Sequence, residues 1–272
     1  MRRGYVAYAA LLAMVILLFT GCDALIGNAF KAANLGQPSV EKIKELDTAA
    51  LVAQAGITSG SVSDTFIQTI ISDDATKAAV LATLQTTVDT GSASDAQAAQ
   101  ALILDIKLAD IGADEVISNV NGAIGELASL SDSEDVKPAD IINTLLPADL
   151  TGEALADFID EIGALGTDVD TLAQKITDNG GTVTEGLDVA TLAQTAALVK
   201  FVNIVDPADG YSTGEAVAQA VADLKADPDA DVTKYFDKEP DISSLADDAT
   251  LKTLFDAAGL GDLLDQLSGS GS

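Results

Sequence analysis

Histidine and tryptophan are absent from this chain of 272 residues, and cysteine occurs once. Without histidine there is no Ser-His-Asp triad, no Cys-His dyad and no His-bound zinc. Both arginines, Arg2 and Arg3, stand at the very start, so beyond them no guanidinium clamps a phosphate or carboxylate. One cysteine cannot form a disulfide within the chain. No GxGxxG or Walker-type glycine loop is present. Carboxylates, lysines, hydroxyls and the backbone remain, and the sequence reads as that of a non-enzyme.

Positive charge is scarce as well. The chain carries 14 basic and 43 acidic residues, for a net charge of −29, which becomes −31 once Arg2 and Arg3 are set aside. Affinity for nucleic acid rests on Lys and Arg neutralising phosphates, so this balance excludes nucleic-acid binding. Aspartate far outnumbers glutamate, as on surfaces adapted to salt. Screening relieves the self-repulsion of such a charge, so thermal stability is expected to rise with NaCl. Hydrophobic residues make up 48% of the chain, too many for a disordered polyelectrolyte.

The single cysteine has an informative position. Met1-Arg2-Arg3 opens the chain, and Gly4 to Gly21 then runs without a charge. A basic start followed by an apolar run is the pattern of an export signal peptide. Phe19, Thr20 and Gly21 then lead into Cys22. This tetrad resembles the lipobox of bacterial lipoproteins, an aliphatic residue, a small residue, Gly or Ala, then Cys, with Phe19 where Leu is usual. The resemblance covers residues 1–22. It implies cleavage before Cys22, diacylglycerol on the Cys22 sulfur and an acyl chain on the new amino group; no other cofactor is expected. A membrane-spanning helix would need about 20 apolar residues, slightly more than this run supplies, and would have no need of a cysteine where the run stops. The expected location is the bacterial cell envelope, membrane-anchored through lipid. Whether that means the periplasmic side of the inner or outer membrane, or the cell surface, is left open.

Beyond the signal, apolar residues recur at helical spacing. Leu155, Phe158, Ile159, Ile162 and Leu165 share a face, as do Val217, Ala220, Val221 and Leu224, and Leu251, Leu254, Phe255 and Ala258. Ile117, Val120, Ile124 and Leu127 form another. "STGE" at Ser212 to Glu215 and "TVTE" at Thr182 to Glu185 have capping-box spacing. Gly56, Gly112, Gly166, Gly180 and Gly259 stand where helix C-caps are expected. "SVSDTFIQTII" from Ser61 to Ile71 is the best strand candidate, with a helix from Asp64 as its rival. The pattern predicts an all-α fold, a multi-helix bundle or irregular α-solenoid of about ten to twelve short helices. "DVDTLAQ" from Asp168 returns as "DVATLAQ" from Asp188, and "TGEALA" from Thr151 as "TGEAVA" from Thr213, but no single period runs through the chain.

The organisation read from these signals is a signal peptide at 1–21, a lipidated cysteine and tether at 22–38, a first helical group at 39–130, a polar connector at 131–138, a second helical group at 139–267 and a flexible tail at 268–272. Two candidate sites emerge. "DPDADVTKYFDK" puts Asp227, Asp229 and Asp231 at loop positions 1, 3 and 5 of an EF-hand-like stretch. Val232 and Lys238 then stand where the loop needs Gly and a bidentate Glu. Tyr235 and Phe236 are adjacent aromatics in an aromatic-poor chain and are candidates for an interaction patch. The expected function is a lipid-anchored envelope protein whose helical body binds an envelope protein or acts as a scaffold. The alternative is a small-molecule or calcium-binding envelope lipoprotein.

Overall fold

A computed structural model describes residues 38–59, 62–113, 150–238, 240–241, 243–262 and 264. The signal peptide, Cys22, the tether before residue 38, the face beginning at Ile117, the polar connector and the tail lie outside the described residues.

The described chain is all-α. In order it forms α1 (Val40–Ile43), α2 (Thr48–Ala55), a 3-10 turn (Ile57–Ser59), α3 (Asp64–Ile71), α4 (Asp74–Thr90) and α5 (Ala93–Asp110). It continues with α6 (Gly152–Ala164), α7 (Gly166–Asp178), α8 (Val189–Asn203), α9 (Thr213–Ala226), a second 3-10 turn (Thr233–Tyr235), α10 (Ser243–Asp247) and α11 (Ala249–Ala257). Among the described residues the only extended pairing is an isolated bridge between Pro207 and Phe236.

Local capping sets many of the helix starts. The side chains of Asp47, Ser63, Asp73, Ser92, Asp188 and Asp248 each accept a backbone N–H of the first turn that has no partner within the helix. Ser63 decides the stretch from Ser61 to Ile71 in favour of helix. Its hydroxyl accepts from Phe66 N, and Phe66, Ile67 and Ile70 then fall on one buried face. The strand reading is thereby corrected. "TVTE" is corrected too, because residues 182–185 form a loop and the helix starts only at Val189. "STGE" forms a full capping box, with Ser212 Oγ accepting from Glu215 N and Glu215 Oε2 accepting from Ser212 N at 2.8 Å. Gly56, Gly112, Gly180 and Gly259 have positive φ as expected, whereas Gly166 opens α7.

One core runs from Ile43 to Leu264 and takes in both helical groups. α4 and α5 are joined by Gly91 and Ser92 and fold back on each other, which brings Lys77 onto Asp110 at 2.8 Å. α5 is buried nearly all round, between α2, α3 and α4 on one side and α7 on the other. α8 fills the equivalent place in the second group, packed on α6, α7 and α11. Polar groups fix the seam. Gln97 of α5 is fully buried; its Nε2 donates to the carbonyls of Lys175 and Thr182, and its Oε1 accepts from Thr184 N at 2.8 Å. Lys107 Nζ lies 2.7 Å from Asp168 Oδ2. The Gln97 bonds hold the 182–185 loop in place, and the Lys107–Asp168 pair ties α5 to α7. A Cβ at Gly186, where φ is +85°, would lie 1.9 Å from Thr58 O.

The short repeats do not keep register. Asp188 is the N-cap of α8, whereas Asp168 lies inside the first turn of α7. Thr151 is the N-cap of α6, whereas Thr213 is the first residue after the Ser212 cap.

Candidate functional site

α9 packs closely on α6 because two small residues let the backbones meet. A Cβ at Gly214 would lie 1.9 Å from Ala156 O. Leu155, Ala156 and Ala218 fill this contact. Asp160 of α6 finishes it by capping its neighbour, as Oδ2 accepts from Ser212 Oγ at 2.5 Å and Oδ1 from Gly214 N at 2.7 Å. A carboxylate at a helix N-terminus is favoured by the helix dipole.

Above this contact lies an open groove of about 610 Å³, bounded by Gly152, Glu153, Asp157, Tyr211, Glu215 and Gln219. Glu153 and Asp157 are exposed and four residues apart on α6. Glu215 is held by the capping box. Among the described residues Tyr211 is the large hydrophobic residue left exposed, at 40%. Its ring meets Tyr235 edge to face, with centroids 5.6 Å apart and planes at 86°.

Tyr235 supports Tyr211 and is itself inaccessible. It is buried with Ala216, Ala220, Leu224 and Val232 in a small satellite core. Its hydroxyl donates to Asp223 Oδ2 at 2.8 Å, and Lys234 Nζ sits 4.8 Å above its ring and 2.9 Å from Asp223. The Lys234 and Tyr235 hydrogen bonds lower the Asp223 pKa, and the Asp223 carboxylate, helped by burial, raises that of Tyr235. The interaction patch expected at Tyr235 and Phe236 is therefore corrected. Tyr235 is a core residue, Phe236 is half-buried and bridged to Pro207, and the exposed ring is Tyr211. Sequence carried one signal for this. A residue just before an N-cap commonly packs on the fourth helical residue, here Ala216, whose methyl is too small to cover a phenol ring.

Asp227, Asp229 and Asp231 do not converge. Asp227 Oδ1 accepts from Asp229 N at 3.0 Å, and Asp231 Oδ1 accepts from Thr233 N and Thr233 Oγ1. The two Thr233 bonds lower the Asp231 pKa. The carboxylates of Asp227 and Asp231 thus shape turns, and among the described residues no three acidic side chains gather as a metal site would require. Cys22 and the lipobox residues Phe19, Thr20 and Gly21 lie outside the described residues. No described helix is long and apolar enough to cross a membrane.

Compared with protein-family models, curated proteins and solved structures, the chain matches none.

Proposed function

We propose that the chain is a bacterial envelope lipoprotein, held to a membrane by lipid on Cys22, whose non-catalytic helical body docks another envelope protein through the α6–α9 groove. The observation that carries the anchor is the position of the only cysteine, directly after an uncharged run and behind Phe19-Thr20-Gly21. Two or more acyl chains hold a protein stably on a membrane, at about 0.8 kcal/mol per buried methylene. The docking half of the proposal is supported by the exposed Tyr211 ring on a rigid tyrosine mount, beside Glu153 and Asp157. Tyrosine is enriched at interfaces because it offers contact area with little rotamer entropy to lose. A partner face carrying basic and apolar side chains complements it.

Site-specific photocrosslinking in the native envelope tests the docking. A photoreactive residue at position 211 is expected to give one discrete protein adduct, lost on charge reversal of Glu153 and Asp157 to lysine. The same residue at position 252, on α11, is expected to give none. Equal labelling from both positions, or an adduct indifferent to the charge reversal, would defeat the docking proposal and leave the anchor to be judged separately.

A further inference from the structure

Three dipeptides in this chain are prone to spontaneous succinimide chemistry: Asn121-Gly122, Asn179-Gly180 and Asp209-Gly210. Glycine leaves its own backbone nitrogen sterically open to attack the preceding side-chain carbonyl. At Asn-Gly, the glycine nitrogen bonds to the asparagine Cγ and ammonia departs. At Asp-Gly the same C–N bond forms and water departs. Water then opens the ring at either carbonyl, giving aspartate or isoaspartate, with no oxidant or reductant. In an unfolded chain Asn-Gly reacts faster than Asp-Gly.

We propose that the fold inverts this order, protecting Asn179 and leaving Asp209 as a site of isoaspartate formation in the native protein. Asn179 is the C-cap of α7. Its nucleophile is occupied, because Gly180 N donates to Thr177 O at 2.9 Å. Its leaving group is held as well, because Asn179 Nδ2 donates to Thr182 O at 2.7 Å. The next turn closes through Gly181 N on Ile176 O at 2.9 Å. Thr182 and Thr184 are in turn tied to the buried Gln97. Reaction at Asn179 therefore waits for a local opening that breaks several bonds together.

Asp209 is set differently. Asp209 and Gly210 are both exposed, Gly210 has φ +94°, and neither the Asp209 carboxylate nor Gly210 N has a hydrogen-bond partner among the described residues. The turn around Asp209 is closed by one bond, Tyr211 N to Ala208 O at 3.1 Å, so ring formation there needs at most that single exposed turn to yield. Its consequence is local to the groove. An isoaspartyl link routes the main chain through the side-chain carbon, lengthening it just before Tyr211 and the Ser212 cap. This inference rests on the two turns alone and is independent of the docking proposal.

The three dipeptides fall on separate tryptic peptides, with Asn179 in residues 176–200 and Asp209 in residues 201–225. The experiment ages the Cys22-to-Ser272 protein in buffer and, in parallel, in denaturant. Mass spectrometry then reads deamidation, and isoaspartyl methyltransferase reads isoaspartate, peptide by peptide. In denaturant, Asn179 is expected to convert first. In the folded protein, residues 201–225 are expected to accumulate isoaspartate at close to the denatured rate, while Asn179 slows by about tenfold or more. The variant Asp209→Asn places the same Asn-Gly pair in both turns of one molecule, and position 209 is expected to deamidate about tenfold or more faster than position 179. Equal folded rates at 179 and 209 in that variant would overturn the proposal. So would aged native protein free of isoaspartate at 209 while the denatured control carries it.

Discussion

Replacing Gly214 by alanine sets two effects of opposite sign against each other. Gly214 lies in the first turn of α9, where helix propensity alone favours alanine by up to about 1 kcal/mol. The new methyl carbon, however, would lie 1.9 Å from Ala156 O and 2.7 Å from its carbonyl carbon. Both are backbone atoms of a packed helix and cannot swing aside, so α9 must withdraw by about 1.5 Å to reach the ordinary contact distance of 3.4 Å. Overpacking of this kind costs about 1–3 kcal/mol. Withdrawal also stretches the Gly214 N to Asp160 bond, and forfeits part of the about 1.5–3 kcal/mol that a bond to a charged acceptor contributes. The net expectation is a loss of about 2 kcal/mol, or roughly 4–8 °C in Tm for a chain of this size. The chain offers a local probe. It lacks tryptophan, and when it is expressed from Cys22 onward its tyrosines are Tyr211 and Tyr235, both beside α9. In Gly214→Ala, tyrosine fluorescence should lose its native signal at lower urea than far-UV circular dichroism, which reports on every helix. A variant as stable as the parent, with coincident transitions, would refute the claim that a small-residue contact seats α9 on α6.

The remaining predictions concern buried and paired polar groups. Gln97 and Gln194 are both buried, but Gln97 is fully bonded and the Gln194 amide has no partner among the described residues. Gln97→Leu should destabilise by about 1–3 kcal/mol and Gln194→Leu should stabilise by up to a similar amount, read as opposite shifts in urea midpoint at unchanged m-value. Lys200 Nζ clamps α7 and α11 onto α8 through Asp170 Oδ1 at 2.5 Å and Asp248 Oδ2 at 3.4 Å. Lys200→Met should cost about 1–2 kcal/mol, between an exposed and a buried pair. Burial alone would lower the Lys200 pKa, but Asp170 and Asp248 outweigh it and raise it above 10.5. The clamp therefore holds at neutral pH and is lost as pH rises through that raised value, where parent and variant stabilities should converge. Asp73 accepts from Thr76 Oγ1 and from Lys44 and Thr76 N, which bring its pKa from 3.8 to about 2. Its contribution is full above 3.8 and fades as pH falls toward 2, so its carboxyl carbon should still be titrating near pH 2 by NMR, and a midpoint at 3.8 would contradict the bonds to Thr76 and Lys44.

Much of the helical fold is legible because its determinants are local. The i, i+3, i+4 faces on α6 and α11 and the Ser212 box each act within about one turn, so a short window of sequence contains cause and effect. The failures share the opposite property. "TVTE" has the spacing of a cap, yet Gln97, far away on α5, takes Thr184 N and holds the segment as a loop. Gly186 and Gly214 are required by Thr58 and Ala156, which are remote in sequence. The exposure of Tyr211 and burial of Tyr235 follow from the way Val232 and Tyr235 fold back on α9, which no helical period encodes. The aspartates at 227 and 231 mimic metal-loop spacing because Asx turns place Asp at the same short intervals.

The most direct test of the anchored-lipoprotein account is the intact mass of protein extracted from its native membrane, measured beside a Cys22→Ser variant. The account predicts a parent chain starting at Cys22 with the mass of diacylglycerol and an acyl chain added. The variant should be unlipidated and absent from the membrane fraction. A parent chain that still begins at Met1, with no lipid mass, would contradict it.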